Sequence, residues 1–219
     1  MSELGQFALR LGLFLSGYAL LMDLLGVWRD RRTLLASARN ATVGCLLCLT
    51  VAMGALWVLL VQGDFAVSYV AENTARSLPL VYKLTALWAG AAGSLLLWLW
   101  LQTGFVAVAF SKSAEDSGRF CAVARAAANL VAVFFFLVLI FDKDPFRLSI
   151  TTPRDGAGLN PLLQHPAMVL HPPALFLGYA AFVIPYAWTL AALQKGNANR
   201  LPVLFTRAWN WSLLGDAYL

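Results

Sequence analysis

Three stretches of this sequence, residues 41–63, 84–111 and 172–194, contain no charged side chain, and nothing else in it restricts the possible folds so strongly. Each is longer than the ~20 residues with which a helix crosses a hydrocarbon layer of about 30 Å. None alternates apolar and polar residues in the segments of about ten that barrel strands require, so the backbone must satisfy its hydrogen bonds within helices. Composition agrees. With 60% of 219 residues hydrophobic and only 12% charged, the chain carries more apolar surface than one water-soluble core can hide. The expected fold is all-α, a polytopic transmembrane helical bundle of about five complete spans, at 4–27, 41–62, 84–110, 121–141 and 172–193, plus a truncated sixth from 208. The whole of 1–219 reads as one integral membrane domain. The first span lacks a small-residue cleavage site and is expected to be retained.

The net charge of +5 does not point to nucleic acid, because the 16 Lys and Arg residues are scattered through short loops and form no continuous basic face. Arg29, Arg31, Arg32 and Arg39 follow the first span, Lys112, Arg119 and Arg125 lie in 111–125, and Lys195, Arg200 and Arg207 lie in 195–207. The alternate loops hold Arg76, Lys83, Lys143, Arg147 and Arg154. The positive-inside rule then places the first three segments in the cytoplasm, and the N-terminus with the 63–83 and 142–171 loops outside. Arg10 and Asp23 fall toward the ends of the first span, where shallow placement lowers their cost. With no charge at the centre of spans two or three and no internal repeat, a transporter or channel fragment is the weakest of the functional readings.

Few residues offer chemistry. The only histidines, His165 and His171, lie where the second outer loop returns to the membrane. Pro172 and Pro173, which suit a helix's first turn, would hold His171 at the lip of the fifth span. There it could cap structure, relay protons or supply a nitrogen to haem iron. Cys45 and Cys48 form Cys-x-x-Cys, but Leu49 follows in place of histidine, so a packing role is expected rather than haem attachment. Ala89 and Gly93, with Trp88, Trp98 and Trp100 nearby, suit either a helix-packing seam or the edge of a porphyrin. Asp155 and Asn160 flank Gly156 and Gly158, which turn formation explains. The 63–83 segment is apolar enough to lie on the membrane or on a partner. The proline- and glycine-punctuated 142–171 segment is either a linker or a folded loop that presents groups at the outer surface.

The stretches ELGQFAL (3–9), GDFAVSYVAENT (63–74), LPLVYKLTALWAGAAGSLLLWLW (78–100), DPF (144–146) and DGAGLNPLLQHPAMVLHPPALFLGY (155–179) together resemble the N-terminal part of the CcmF/NrfE-type cytochrome c haem lyase subunits. The resemblance implies a bacterial inner-membrane, multi-pass protein with its N-terminus and motif loops on the periplasmic side. It implies a component of cytochrome c maturation that positions haem for covalent attachment to apocytochrome c. The partners implied are a haem chaperone, apocytochrome c, thiol-handling maturation subunits and membrane lipid, with no nucleic acid. His171, in HPP, matches the first of two outer histidines that ligate haem iron, with Pro172, Pro173, Asp155, Asn160 and Gln164 in support and His165 as a weaker candidate. The second histidine, a tryptophan-rich loop and the ligands of a b-type haem are expected beyond Leu219, so this stretch alone is expected to be inactive. Two departures stand out: Ala92 replaces the family's usual Glu before GSLLLW, and His165 stands where relatives commonly carry an acidic residue. The alternative reading is a non-enzymatic scaffold for the same assembly partners.

Overall fold

The computed structural model describes residues 1–110 and 118–195, all of them helical or connecting, with one isolated antiparallel bridge between Val67 and Leu148. Five apolar stretches are long enough to cross a membrane: α1 (Ser2–Arg29), α2 (Arg32–Gln62), α5 (Ala91–Ala109), α6 (Gly118–Phe141), and α7 (Ala167–Ala181) continued by α8 (Val183–Lys195). Two short helices, α3 (Ser68–Asn73) and α4 (Leu80–Thr85), lie between the second and third spans. The expected sixth span, from 208, falls outside the described residues.

The α1–α2 hairpin turns on Asp30, which takes the left-handed conformation (φ 52°) and ends α1 with an N–H bond to the Gly26 carbonyl. Close approach of the helices relies on small residues. A Cβ on Gly12 would strike the Phe136 ring of α6, and one on Gly5 would overlap the Phe146 ring. Leu9, Leu49, Leu56, Leu59, Phe136 and Phe146 fill the space between. Cys45 is buried in this core, in line with packing.

Several boundaries differ from the sequence expectation for physical reasons. α2 begins at Arg32 rather than 41, because the charged turns before the apolar run remain helical beside α1. The third apolar run is broken. α4 and a 3-10 turn (Ala86–Trp88) precede Gly90, which is extended (φ −124°, ψ 166°) and caps α5. α7 begins at Ala167, so Pro172 and Pro173 lie inside the helix and not in its first turn.

Asp23 is also a correction. It is not a side chain reaching out of the bundle; toward the end of α1 it is completely buried and paired with Arg125, which belongs to α6 and is therefore not a loop charge. Arg125 Nε donates to Asp23 Oδ2 at 2.9 Å, one terminal nitrogen donates to Asp23 Oδ1, and the same nitrogen reaches the Leu35 carbonyl at 3.0 Å. One turn along α6, Asn129 donates to Thr42 Oγ1 at 3.3 Å, and its carbonyl accepts from Ser16 at 3.3 Å. Gln102 of α5 reaches the Ala128 carbonyl at 3.3 Å. These bonds tie three spans to α6 with charges compensated inside the bundle, as buried polarity in a membrane requires.

Candidate functional site

At the other end of the bundle, the connections around 63–90 and 142–166 fold onto each other and do not trail as linkers. Ser68 N–H donates to the Arg147 carbonyl (2.9 Å), Ser149 N–H to Ala66 (2.8 Å) and Ala157 N–H to Ala71 (2.7 Å). Gln6 of α1 joins this layer through Asp144 (3.0 Å). Phe65, Val67, Tyr69 and Val70 are buried, so the first segment uses its apolar surface within the chain.

Tyr69 organises the approach to α5. Its hydroxyl lies 2.8 Å from the Leu87 carbonyl and 3.0 Å from that of Ala86, and accepts from Gly90 N–H at 3.1 Å. Burial pushes the Tyr69 phenol pKa up, so the group acts as a neutral donor. Gly93 is required behind it, since a Cβ there would collide with the Leu87 carbonyl and the Tyr69 hydroxyl. The broken turn held in this way aims Trp88 at α7.

Trp88 Nε1 donates to the Met168 carbonyl at 3.4 Å. This carbonyl would ordinarily accept from the residue four positions on, which is Pro172 and has no N–H. The indole therefore supplies a donor that the proline removed. Residues 168 and 171 are neighbours on a helix surface, so Trp88 and His171 share one side of α7. Tyr82 of α4 donates to the Gln164 carbonyl, and Gln164 Nε2 donates to the Leu159 carbonyl at 2.8 Å.

His171 is the fifth residue of α7, exposed, and its ring has no hydrogen-bond or ionic partner among the described residues. His165 is exposed too, but its Nδ1 accepts from Ala167 N–H at 3.2 Å and caps the helix. Asp155 accepts from Arg76 N–H (2.9 Å) and Gly156 N–H (2.8 Å). Those bonds, followed by the positive charges of Arg76 and Lys83, hold its carboxyl below the usual carboxylate range. Asn160 Oδ1 accepts from Leu162 N–H at 3.0 Å. Asp155 and Asn160 thus anchor the turns that carry the chain to α7. Tyr69, Tyr82, Arg76 and Lys83 entered the sequence reading only as the make-up and charges of the 63–83 segment and not as site residues; the motif blocks GDFAVSYVAENT and LPLVYK carried a signal for three of them.

Trp98 packs on Phe135 (5.1 Å between centroids) and on Tyr179 (5.7 Å), while Trp100 donates to Thr50 Oγ1 at 3.0 Å. Both serve helix packing in these spans. An open cavity of about 440 Å³ lies between α3 and residues 147–153, and neither histidine lines it. Among the described residues no three His, Cys, Asp or Glu side chains gather as a metal site. Haem iron brings its own porphyrin nitrogens and needs only axial donors from protein, a demand that a free, exposed imidazole fits.

The cytochrome C assembly protein family matches residues 88–215. The chain is 37% identical over 217 residues to the cytochrome c-type biogenesis protein CcmF of Pseudomonas aeruginosa, covering 97% of this chain and 33% of that protein. It is 35% identical over 214 residues to CcmF of Haemophilus influenzae, covering 95% and 32%. A solved structure described as cytochrome c heme lyase CcmF superposes with a TM-score of 0.83 at 27% identity, covering 99% of this chain and 34% of that one. The chain thus spans about a third of the length of the relatives it matches.

Proposed function

Since the chain belongs to the cytochrome c assembly protein family, with a multi-span fold shared with CcmF, we propose that it forms the N-terminal part of a haem-positioning subunit in cytochrome c maturation, in the bacterial inner membrane. The observation that carries this reading is the free, exposed His171 imidazole on α7, one turn from the Met168 carbonyl that the Trp88 indole reaches. On this reading the rim faces the periplasm and receives haem from a haem chaperone.

Haem supplies the vinyl groups to which the apocytochrome thiols add. Each sulfur bonds the vinyl carbon next to the ring and the thiol hydrogen ends on the terminal carbon, so the addition consumes no oxidant. The chain's own part is positioning. His171 holds the iron, Trp88 offers a flat apolar face, and the Asp155, Asn160 and Gln164 turns fix the loop leading to α7. Restricting one reactant's orientation in this way raises the effective concentration of the other. On this reading a second outer histidine, a tryptophan-rich loop and thiol-handling partners, which the resemblance implies, complete the haem site.

Replacing His171 by Ala in the longer protein and measuring covalent cytochrome c yield tests the reading; a large loss is expected, and an unchanged yield rejects it. Single-cysteine labelling in 147–154 tests the orientation, with modification by a membrane-impermeant reagent expected from the periplasmic side.

A further inference from the structure

The six-residue helix α4 is too short to cross a membrane, and its two sides differ. Leu80 is 58% exposed, Val81 55% and Leu84 39%, and at about 3.6 residues per turn these three fall on one side. Tyr82 falls on the other, where its hydroxyl donates to the Gln164 carbonyl in the connection that leads to α7. What the apolar side faces is set by where α4 sits along the bundle. Trp57 of α2 fixes that level, because its Nε1 donates to the Leu84 carbonyl at 3.2 Å. At about 1.5 Å per residue, Trp57 stands about 8 Å short of the Gln62 end of α2. The uncharged run of this span continues to Gly63, and Asp64 follows it. The end of α4 therefore lies beside the apolar length of α2 and not beyond it. Trp57 and Val61, one turn apart on α2, are exposed on that flank.

We propose that α4 is embedded in the membrane surface beside α2, with Leu80, Val81 and Leu84 against lipid acyl chains. Its apolar side then continues the lipid-facing flank of α2 that Trp57 and Val61 form. The level agrees, since interfacial helices bury their apolar side about 5–10 Å into the boundary between headgroups and acyl chains. Indoles gather at the same level, where one end of the ring meets apolar chains and the N–H finds an acceptor, here the Leu84 carbonyl. Lys83, half-buried on the flank of α4, has a stem long enough for its ammonium to rise toward lipid phosphates. The consequence reaches the rim. Tyr82 ties α4 to Gln164, whose side chain donates to the Leu159 carbonyl at 2.8 Å, so the membrane surface becomes one of the supports that set the start of α7. This holds whether or not His171 binds iron.

Nitroxide labels on single cysteines test the proposal in the longer protein, freed of its native cysteines and placed in nanodiscs of phosphatidylethanolamine and phosphatidylglycerol. Collisions with oxygen, which concentrates in lipid, are compared with collisions with a water-soluble nickel chelate. Labels at Leu80, Val81 and Leu84 are expected to favour oxygen several-fold, as a label at Val61 of the α2 flank does, while a label at the exposed Ser77 favours nickel. A preference for nickel at the three α4 positions puts that side in water, and low collision with both reagents puts it beneath another part of the protein; either result overturns the proposal. Leu80→Gln combined with Leu84→Gln is expected to raise nickel collisions of the Val81 label several-fold, as α4 lifts from the lipid. An unchanged ratio there would show that lipid contact does not hold α4 and would also overturn it.

Discussion

Polar side chains occupy both the interior of this bundle and its α7 rim, and they are treated in opposite ways. From near the α1–α2 turn to the middle of α1 and α6, Asp23, Arg125, Asn129, Thr42 and Ser16 are sealed inside and bonded to one another or to neighbouring backbone carbonyls. At the α7 end, His171 and Lys83 have been brought to a structured surface and left uncommitted. The first arrangement spends its hydrogen bonds in holding helices together, so it is a clasp. The second retains its capacity, which is what binding a further molecule requires. In a membrane protein the informative polar group is therefore the one whose position is fixed while its donor or acceptor remains unused.

The sharpest way to break this contrast is to leave one clasp charge unmatched. Asp23→Leu strands the Arg125 guanidinium in the bundle and is expected to lower stability by about 3–5 kcal/mol, read from unfolding in mixed micelles. Removing both charges, with Arg125→Met added, is expected to recover most of that loss, since the pair offsets its own desolvation. If the single variant melts like the parent, the clasp has no structural role.

Tyr69 stands between the two regions, buried like the clasp but serving the rim. Tyr69→Phe leaves the Leu87 carbonyl and Gly90 N–H without their partner and is expected to cost about 1–3 kcal/mol. Trp88 fluorescence should change along with the melting temperature if the broken turn positions that indole. His165→Ala is a milder perturbation. Losing a cap acceptor at Ala167 N–H is expected to cost about 0.5–1 kcal/mol, with no effect on iron ligation, because His165 already has a structural partner.

Asp155 gives the smallest effect and one that depends on pH. Its folded pKa is lowered below the ordinary 3.8, so its contribution is fully present above that value and is lost as pH falls through the folded value. Protection of the Arg76 and Gly156 N–H groups against hydrogen exchange, taken relative to the intrinsic rate at each pH, should therefore fall on acidification below about pH 4. Asp155→Asn should flatten that dependence.

The spans were legible because uncharged runs of that length have few other solutions, and the five apolar crossings follow from them. The pairing of Asp23 with Arg125 was not, since it joins residues 102 positions apart and each alone reads as a tolerated charge near a helix end. Pro172 and Pro173 misled for a definable reason. A proline normally marks a helix start, but an indole from another segment supplies the donor it removes, which lets α7 begin at Ala167. The motif blocks marked where the rim lies without showing how it is built, because Tyr69, Tyr82 and Trp88 act through backbone carbonyls that no residue pattern reveals.

The contrast between clasp and rim comes down to whether the His171 ring is free to take iron. Titrating haem into the purified protein and following the Soret and visible bands tests that directly. The account predicts an imidazole-ligated spectrum in the parent and in His165→Ala, and its loss in His171→Ala with the melting temperature unchanged. An identical ligated spectrum in His171→Ala would contradict it.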